Sequence, residues 1–304
     1  MNITVIGAGA VGGYFGARLQ EAGAKVTFLV REKRKKQIEE NGFKVMSVKG
    51  DTILHHVSLE SDASNISSSD LVIVAVKGYH LDGVLLQLEQ LVSKGAKILP
   101  LLNGMEHYEI LQQKFGRSAV VGGLCFIITT LDENGYIIHT SNQHDIVFGP
   151  LEKEQKEVCD KANTLMEKAN MNVTYTEDIL KQIWNKYAFI TAYSGVTTAT
   201  RLEIGAIREV PETLALYRET AEEMQKLAAA YGIDLGSKFS EDTVEKAFHL
   251  PENATSSMHQ DFRKGLPLEV ESLQGGALRL AKEKGVDLPV VRTLYRLIKP
   301  YEKQ

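Results

Sequence analysis

Hydrophobic and polar positions change period three times within the first thirty residues. Residues 2–6 (NITVI) form a short β-type run that flows into Gly7-Ala8-Gly9-Ala10-Val11-Gly12. Val11, Tyr14, Phe15 and Leu19 then recur at helical spacing, and residues 25–30 (KVTFLV) read as a second strand that ends at Arg31. Strand, glycine turn, helix and strand make one βαβ unit of the Rossmann dinucleotide-binding kind. In such a unit Gly7 allows the tight turn off the strand, Gly9 lets a pyrophosphate approach the backbone, and Gly12 lets the helix lie close to the sheet. The anion is then expected over residues 7–12, at the helix N-terminus, where unpaired N–H groups and the helix dipole favour negative charge. A structural turn that binds nothing is the competing reading, and the flanking strands and helix weigh against it.

Farther along, residues 43–48 and 52–57 alternate around Gly50-Asp51, which predicts a hairpin inserted into the pattern. Residues 70–76 (DLVIVAV) are a continuous apolar run of the kind buried on both faces, ending at Lys77. A helical stretch over 80–92 leads to a strand over 96–102, ending in Asn103-Gly104-Met105. Between 120 and 148 several β-rich pieces are expected to complete the sheet with partly antiparallel strands, and residues 172–176 read as the last strand. From Glu177 onward the period is helical, with helices expected over 179–191, 211–231, 240–248, 268–284 and 290–302. The fold class is therefore α/β, with a Rossmann domain over 1–176 and an all-helical domain over 177–304. A cleft between them is the expected place for a substrate, with hinge closure near Thr176.

Composition narrows the function classes. A net charge of −4 gives no reason to expect nucleic acid or an anionic membrane as partner. No apolar run reaches the ~18 residues that a membrane span needs. The first strand begins at once, leaving no room for a signal peptide, so a cytoplasmic protein is expected. Cys125 and Cys159 are the only cysteines, too few for a disulfide framework and without metal-type spacing, so no metal is expected. The apolar helices of the second domain can pack within one chain or across a homodimer.

Candidate chemistry follows from position. Ligands of open α/β sheets bind beyond the carboxyl ends of the strands, which singles out Arg31, Lys77 and Asn103. Asp or Glu at the end of the second strand suits NAD, whereas Arg accommodates the 2′-phosphate of NADP. Here Arg31 opens the basic run 31–36, interrupted by Glu32, and NADP(H) is favoured. In the helical domain, Lys186 stands among aromatic and apolar neighbours in IWNKYAFI. Burial there would lower its pKa and suit it to proton donation, although a snorkelling lysine reads the same way. Residues 256–261 (SSMHQD) offer Ser256 or Ser257 as a helix cap, and Glu269 follows. From residues alone the chain is an NADP-dependent oxidoreductase with undetermined catalytic groups.

GAGAVG at 7–12, Lys77 after LVIVAV, LLNGM at 101–105, WNK at 184–186 and SSMHQD at 256–261 come in the order and approximate spacing seen in ketopantoate reductases. The chain resembles that family over essentially its whole length. The resemblance implies a Rossmann domain joined to a helical domain of the 6-phosphogluconate dehydrogenase type. It also implies NADPH-dependent reduction of a small 2-oxo acid, 2-dehydropantoate, to (R)-pantoate on the way to pantothenate and coenzyme A. By position, Lys186 resembles the family's catalytic lysine and Glu269 its acid that meets the substrate hydroxyl. Asn103 resembles the asparagine that positions nicotinamide and substrate, and Ser257 the serine that holds the carboxylate. Arg31 and Lys77 correspond to residues that contact the adenosine phosphate end and the ribose.

One departure bears on the substrate. Many family members carry asparagines four and eight residues after the lysine, where this chain has Ile190 and Ser194. Another 2-oxo acid is therefore an alternative substrate. A non-catalytic NADP sensor is the alternative from another class, and Lys186 with Glu269 argues against it, because a pure binder needs no proton donor.

Overall fold

The computed structural model describes residues 1–303. The chain groups into two compact units, one of Met1–Leu102 with His107–Leu180, the other of Asn103–Glu106 with the chain from Lys181 onward. In the first unit β1 (Asn2–Ile6), α1 (Ala10–Glu21), β2 (Lys25–Leu29) and α2 (Glu32–Asn41) come first. They are followed by β3 (Phe43–Ser47), β4 (Thr52–Leu54), β5 (Ser58–Glu60), β6 (Leu71–Val74), α3 (Leu85–Val92) and β7 (Lys97–Pro100). Next come α4 (Glu106–Phe115), β8 (Gly122–Leu131), β9 (Ile137–Gly149), α5 (Lys156–Met166) and β10 (Asn172–Tyr175).

β5-β2-β1-β6-β7 is an all-parallel sheet, with Ile6 paired to Leu29 on one side and Val74 on the other. Its carboxyl ends are thus level, and the turns that leave them share one edge. Ile3, Val5, Phe28, Ile73 and Leu99 fill its core. The strands between 120 and 148 do not complete this sheet. They pair as a long β8–β9 hairpin inside a second sheet, β10-β9-β3-β4, which also takes the 43–54 hairpin through Val45↔Ile137. The physical reason lies in the burial pattern of β9, which alternates over much of its length and so fits a sheet with one wetter face. The run read over 52–57 ends at Leu54, and β5 is a separate parallel edge strand beside β2. Helices α4 and α5 had no counterpart in the periodicity read from the sequence.

Past Tyr175 the described residues hold helices and no strand. These are α6 (Ile179–Thr200), α7 (Ile204–Glu209), α8 (Pro211–Ala230), α9 (Phe239–His249) and α10 (Ser257–Arg263). A π-turn over Glu271–Gly275 then passes into α11 (Gly276–Lys284), and α12 (Pro289–Ile298) ends the series. Pro211 sits in the first turn of α8, where its missing N–H costs nothing. Trp184, Tyr217, Met224, Leu273 and Leu294 are buried in the core of this unit. The buried Glu223 of α8 accepts the amides of Val290 and Val291 at 2.9 Å each. That places a carboxylate on the N-terminus of α12 and ties this last helix to α8. Three expected helices differ from the sequence reading. The helix over 179–191 continues to Thr200, the one over 268–284 starts only at Glu271, as the π-turn, and the one over 290–302 ends at Ile298.

Candidate active site

In the first unit the carboxyl edge of the parallel sheet collects the expected groups. Gly7 follows β1 with φ +92, and a Cβ there would lie 2.9 Å from the Ala75 carbonyl oxygen at the end of β6. Glycine is the residue that tolerates both the backbone and the space. A Cβ on Gly12 would meet the Gly7 carbonyl oxygen at 2.3 Å, so α1 approaches the sheet only because that side chain is absent. At Gly9, the N-cap of α1, a Cβ would point into open space. No side chain caps α1 and no acid stands in its first turn. The Gly7 amide is taken by the Leu29 carbonyl at 3.3 Å, so Gly7 shapes the turn while residues 8–12, including Ala8, Ala10 and Val11, present a helix N-terminus whose amides suit a phosphate.

Arg31 is exposed and forms the N-cap of α2, two residues beyond β2. Lys77 is half-buried, three residues beyond β6, and opens a 3-10 turn over Gly78–His80. Two further side chains stand at this edge, Arg34, which the basic run 31–36 included without singling it out, and His80. Arg34 donates from Nε to the Ala8 carbonyl at 2.9 Å, bracing the glycine turn from α2, and burial holds its pKa below the usual arginine value. His80 stands close enough to Arg31 that burial, then that guanidinium, hold its imidazole below the ordinary value. The signal for Arg34 is its place one helical turn after Arg31, facing back toward the strand ends. A cavity of about 640 Å³ lined by Met1, Asp70, Lys97 and Lys161 opens at the other, amino end of the strands. It lies away from all of these groups.

Asn103, half-buried, follows β7 by three residues yet groups with the helical unit. Gly104 beside it has φ +95, and a Cβ there would stand 2.4 Å from the Ser272 carbonyl oxygen. The Asn103 segment thus lies directly on the π-turn, which begins two residues after Glu269. π-Turns inside helices recur at functional sites. Glu269 is 3% exposed, and its carbonyl accepts the Leu273 amide at 3.0 Å. Lys186 on α6 is 8% exposed. Ionisable side chains this deep are uncommon and are kept where a fold uses them.

The π-turn is bonded twice to α6, just beyond Lys186. Tyr187, the neighbour of Lys186, donates its hydroxyl to the Leu273 carbonyl at 2.8 Å, and Gln274 donates Nε2 to the Thr191 carbonyl at 2.9 Å. At 100° per residue, Lys186, Ile190, Tyr193 and Thr197 fall on one stripe of α6 roughly 60° wide. Thr197 shares a 2.8 Å hydrogen bond with Ser256, which is the N-cap of α10 and accepts the His259 amide. Ser257 is the exposed first residue of that helix, so the cap left open between the two serines is Ser256. Asn103, Lys186, Ser257 and Glu269 therefore share one compact unit, while residues 7–12, Arg31 and Lys77 share the other. Among the described residues there is no cluster of His, Cys, Asp and Glu that could hold a metal ion. No helix of the described residues is long and apolar enough to cross a membrane.

A family model described as "Ketopantoate reductase PanE/ApbA" matches residues 3–153, and its C-terminal companion matches residues 178–302. "Uncharacterized oxidoreductase YkpB" of Bacillus subtilis is 33% identical, with 100% of both chains covered. A 2-dehydropantoate 2-reductase of Nostoc sp. is 27% identical over 97% of this chain and 93% of the relative. The crystal structure of 2-dehydropantoate 2-reductase from Geobacter metallireducens superposes with a TM-score of 0.90 at 28% identity, covering 99% of each chain. From Rossmann unit to helical unit, the chain belongs to the ketopantoate reductase PanE/ApbA family of oxidoreductases.

Proposed function

We propose that the chain reduces 2-dehydropantoate to (R)-pantoate with NADPH, a step toward pantothenate and coenzyme A. The observation that carries this reading is the depth of Lys186 and Glu269 in one unit, with the Asn103 segment packed on the turn beyond Glu269. We also assign residues 1–176 to cofactor binding and 177–304 to catalysis, with Asn103 as the exception contributed by the first stretch.

When bound, the nicotinamide supplies a hydride equivalent to C2 of the oxo acid. The remaining work falls to side chains of this chain. Lys186 donates an Nζ–H bond to the 2-oxo oxygen, stabilises the negative charge that develops there, and gives up the proton that completes the hydroxyl. It regains that proton from solvent. Glu269 accepts a hydrogen bond from the substrate hydroxyl, Ser257 donates to the carboxylate, and the Asn103 amide orients the reacting groups. With Gly7 forming the turn, the amides of residues 8–12 would hold the pyrophosphate, Arg31 the 2′-phosphate and Lys77 the ribose.

A second substrate reading rests on Ile190. It stands on the stripe of α6 that carries Lys186 and offers a substrate hydroxyl no partner, which favours an acid with an apolar side chain. Steady-state NADPH oxidation with 2-dehydropantoate beside 2-oxoisovalerate and 2-oxobutyrate tests both. Strong preference for 2-dehydropantoate supports the first reading, and a higher kcat/KM for an unhydroxylated acid supports the second. No turnover with any acid of the panel removes both.

A further inference from the structure

The Asn103 segment is held by more than its own glycine. Glu106, three residues on, receives a two-pronged bond from Arg279 of α11, Nε to Oε1 at 2.6 Å and Nη2 to Oε2 at 2.7 Å. The same guanidinium donates Nη1 to Glu271 Oε2 and Nη2 to the Glu271 carbonyl, both at 2.7 Å. Glu271 is the first residue of the π-turn, two beyond Glu269. Its other oxygen accepts the Tyr295 hydroxyl at 2.6 Å and the Lys299 ammonium. Lys299 also pairs with Glu302, whose carbonyl accepts the Leu268 amide at 3.0 Å. The turn that carries Glu269 is thus tied down at Leu268 on one side and Glu271 on the other.

Shape supports the same arrangement. A Cβ on Gly276 would sit 2.9 Å from Glu106 Oε2 and 3.2 Å from the Tyr187 hydroxyl. Glu106 therefore reaches in beside the residue that follows Lys186, through a gap that only glycine leaves. Burial would raise the Glu271 carboxyl, but the bonds from Lys299, Tyr295 and Arg279 outweigh it and bring the pKa down to about 2. One fork of donors thus joins the Asn103 segment, the turn after Glu269 and the neighbourhood of α6 at Tyr187. Arginine suits this place because its planar fork fixes two carboxylates in orientation as well as in distance, which a lysine cannot do.

We propose that Arg279, with Glu106 and Glu271, is a positioning set that holds Asn103 in register with Glu269 and Lys186 for hydride transfer. The proposal rests on the roles given above to Asn103, Lys186 and Glu269. The guanidinium is engaged with both carboxylates, so the effect assigned to the set is on alignment. Misplacement of about 1 Å can lower turnover about 10²-fold.

The test compares wild type, Lys186→Ala, Arg279→Ala, Arg279→Lys and Glu106→Gln with the best oxo acid of the panel. Five readouts are needed: kcat, KM, the NADPH dissociation constant by fluorescence titration, Tm, and the isotope effect with 4-deuterated NADPH. Arg279→Ala is expected to lower kcat about 10²-fold and Arg279→Lys about 10-fold. The NADPH dissociation constant stays within about threefold, and the isotope effect rises as hydride transfer becomes limiting. Millimolar guanidinium is expected to restore part of kcat to Arg279→Ala and none to Lys186→Ala. A purely structural role would lower Tm and leave kcat of the folded variants within twofold, with no guanidinium rescue, and that result overturns the proposal. If Arg279→Ala does not fold, Arg279→Lys and Glu106→Gln decide the matter by the same split. An inactive wild type, or full activity in Lys186→Ala, defeats the underlying functional reading and the proposal with it. A normal wild type, a dead Lys186→Ala and unaffected Arg279 variants defeat the proposal alone.

Discussion

The glycine turn of the first unit and the Asn103–Lys186–Glu269 region of the second use different means to build a site. At the turn the proposed ligand groups are backbone amides, and the geometry of the turn follows from what Gly7 and Gly12 lack. In the helical unit the proposed groups are side chains of residues 103, 186, 257 and 269, which share one compact unit with a π-turn and an ion-pair network. The first kind of site is expected to be most sensitive to an added methyl group at Gly7 or Gly12, and the second to the loss of a contact in its supporting network.

Lys186→Ala gives the largest expected effect. It removes the proposed proton donor, so kcat falls by at least ~10² while NADPH still binds in a fluorescence titration. An unchanged kcat would take the lysine out of the chemistry and leave the helical region as a binding surface.

Gly12→Ala strikes the other region. Its methyl group would need the space of the Gly7 carbonyl oxygen, so α1 must shift from the sheet. Overpacking of this kind costs about 1–3 kcal/mol. NADPH binding should weaken about tenfold or more, with a lower Tm. A neutral result would mean that the turn yields more easily than its close contact suggests.

The contrast also explains what could be read from the sequence. A βαβ turn is set by residues close together in the chain, so Gly7, Gly9, Gly12 and Arg31 were legible from spacing. The second sheet was not, because an alternating strand looks the same whichever sheet it joins. The last part of α6, rich in Ser, Thr and Gly, falls short on helix propensity and is held by burial of Ala192, Ser194, Val196 and Thr197. Lys186 and Glu269 stood out as candidates from the residues, and the roles proposed for them came through resemblance. Glu106 and Arg279 are 173 positions apart, and no local pattern connects two charged residues at that distance.

Arg31→Ala sharpens the cofactor side. Loss of the guanidinium should weaken NADPH about tenfold and leave NADH nearly unchanged, since only NADPH carries the 2′-phosphate. Equal losses, read by paired titrations, would transfer the phosphate assignment to another cation at that edge, with Arg34 next in line.

Ile190→Asn tests the substrate side with a smaller change. An amide one turn beyond Lys186 would give a substrate hydroxyl a partner, so kcat/KM for 2-dehydropantoate relative to 2-oxoisovalerate should rise up to about tenfold. A constant ratio would mean that Ile190 does not face the part of the substrate that differs between these acids.

The smallest expected effect separates the two units by acidity. In the first, His139 and His144 are buried with rings 5.8 Å apart, and His144 Nδ1 lies 2.8 Å from the Tyr14 hydroxyl. Burial is the main cause that lowers both imidazoles, and Arg18 and Lys49 add to it, while the Gln143 carbonyl partly offsets it at His139. The helical unit has one such residue, His259, lowered by burial and then by Arg263. A histidine lowered in the folded state stays neutral there while the unfolded chain takes up its proton near pH ~6.5. The stability it contributes is therefore present above that pH and is lost as pH falls toward the folded value. Between pH 7.5 and 5.5 the Tm should drop by a few degrees, and His144→Gln should flatten that slope more than His259→Gln does. Equal slopes in both variants would locate the acid sensitivity elsewhere and erase this difference between the units.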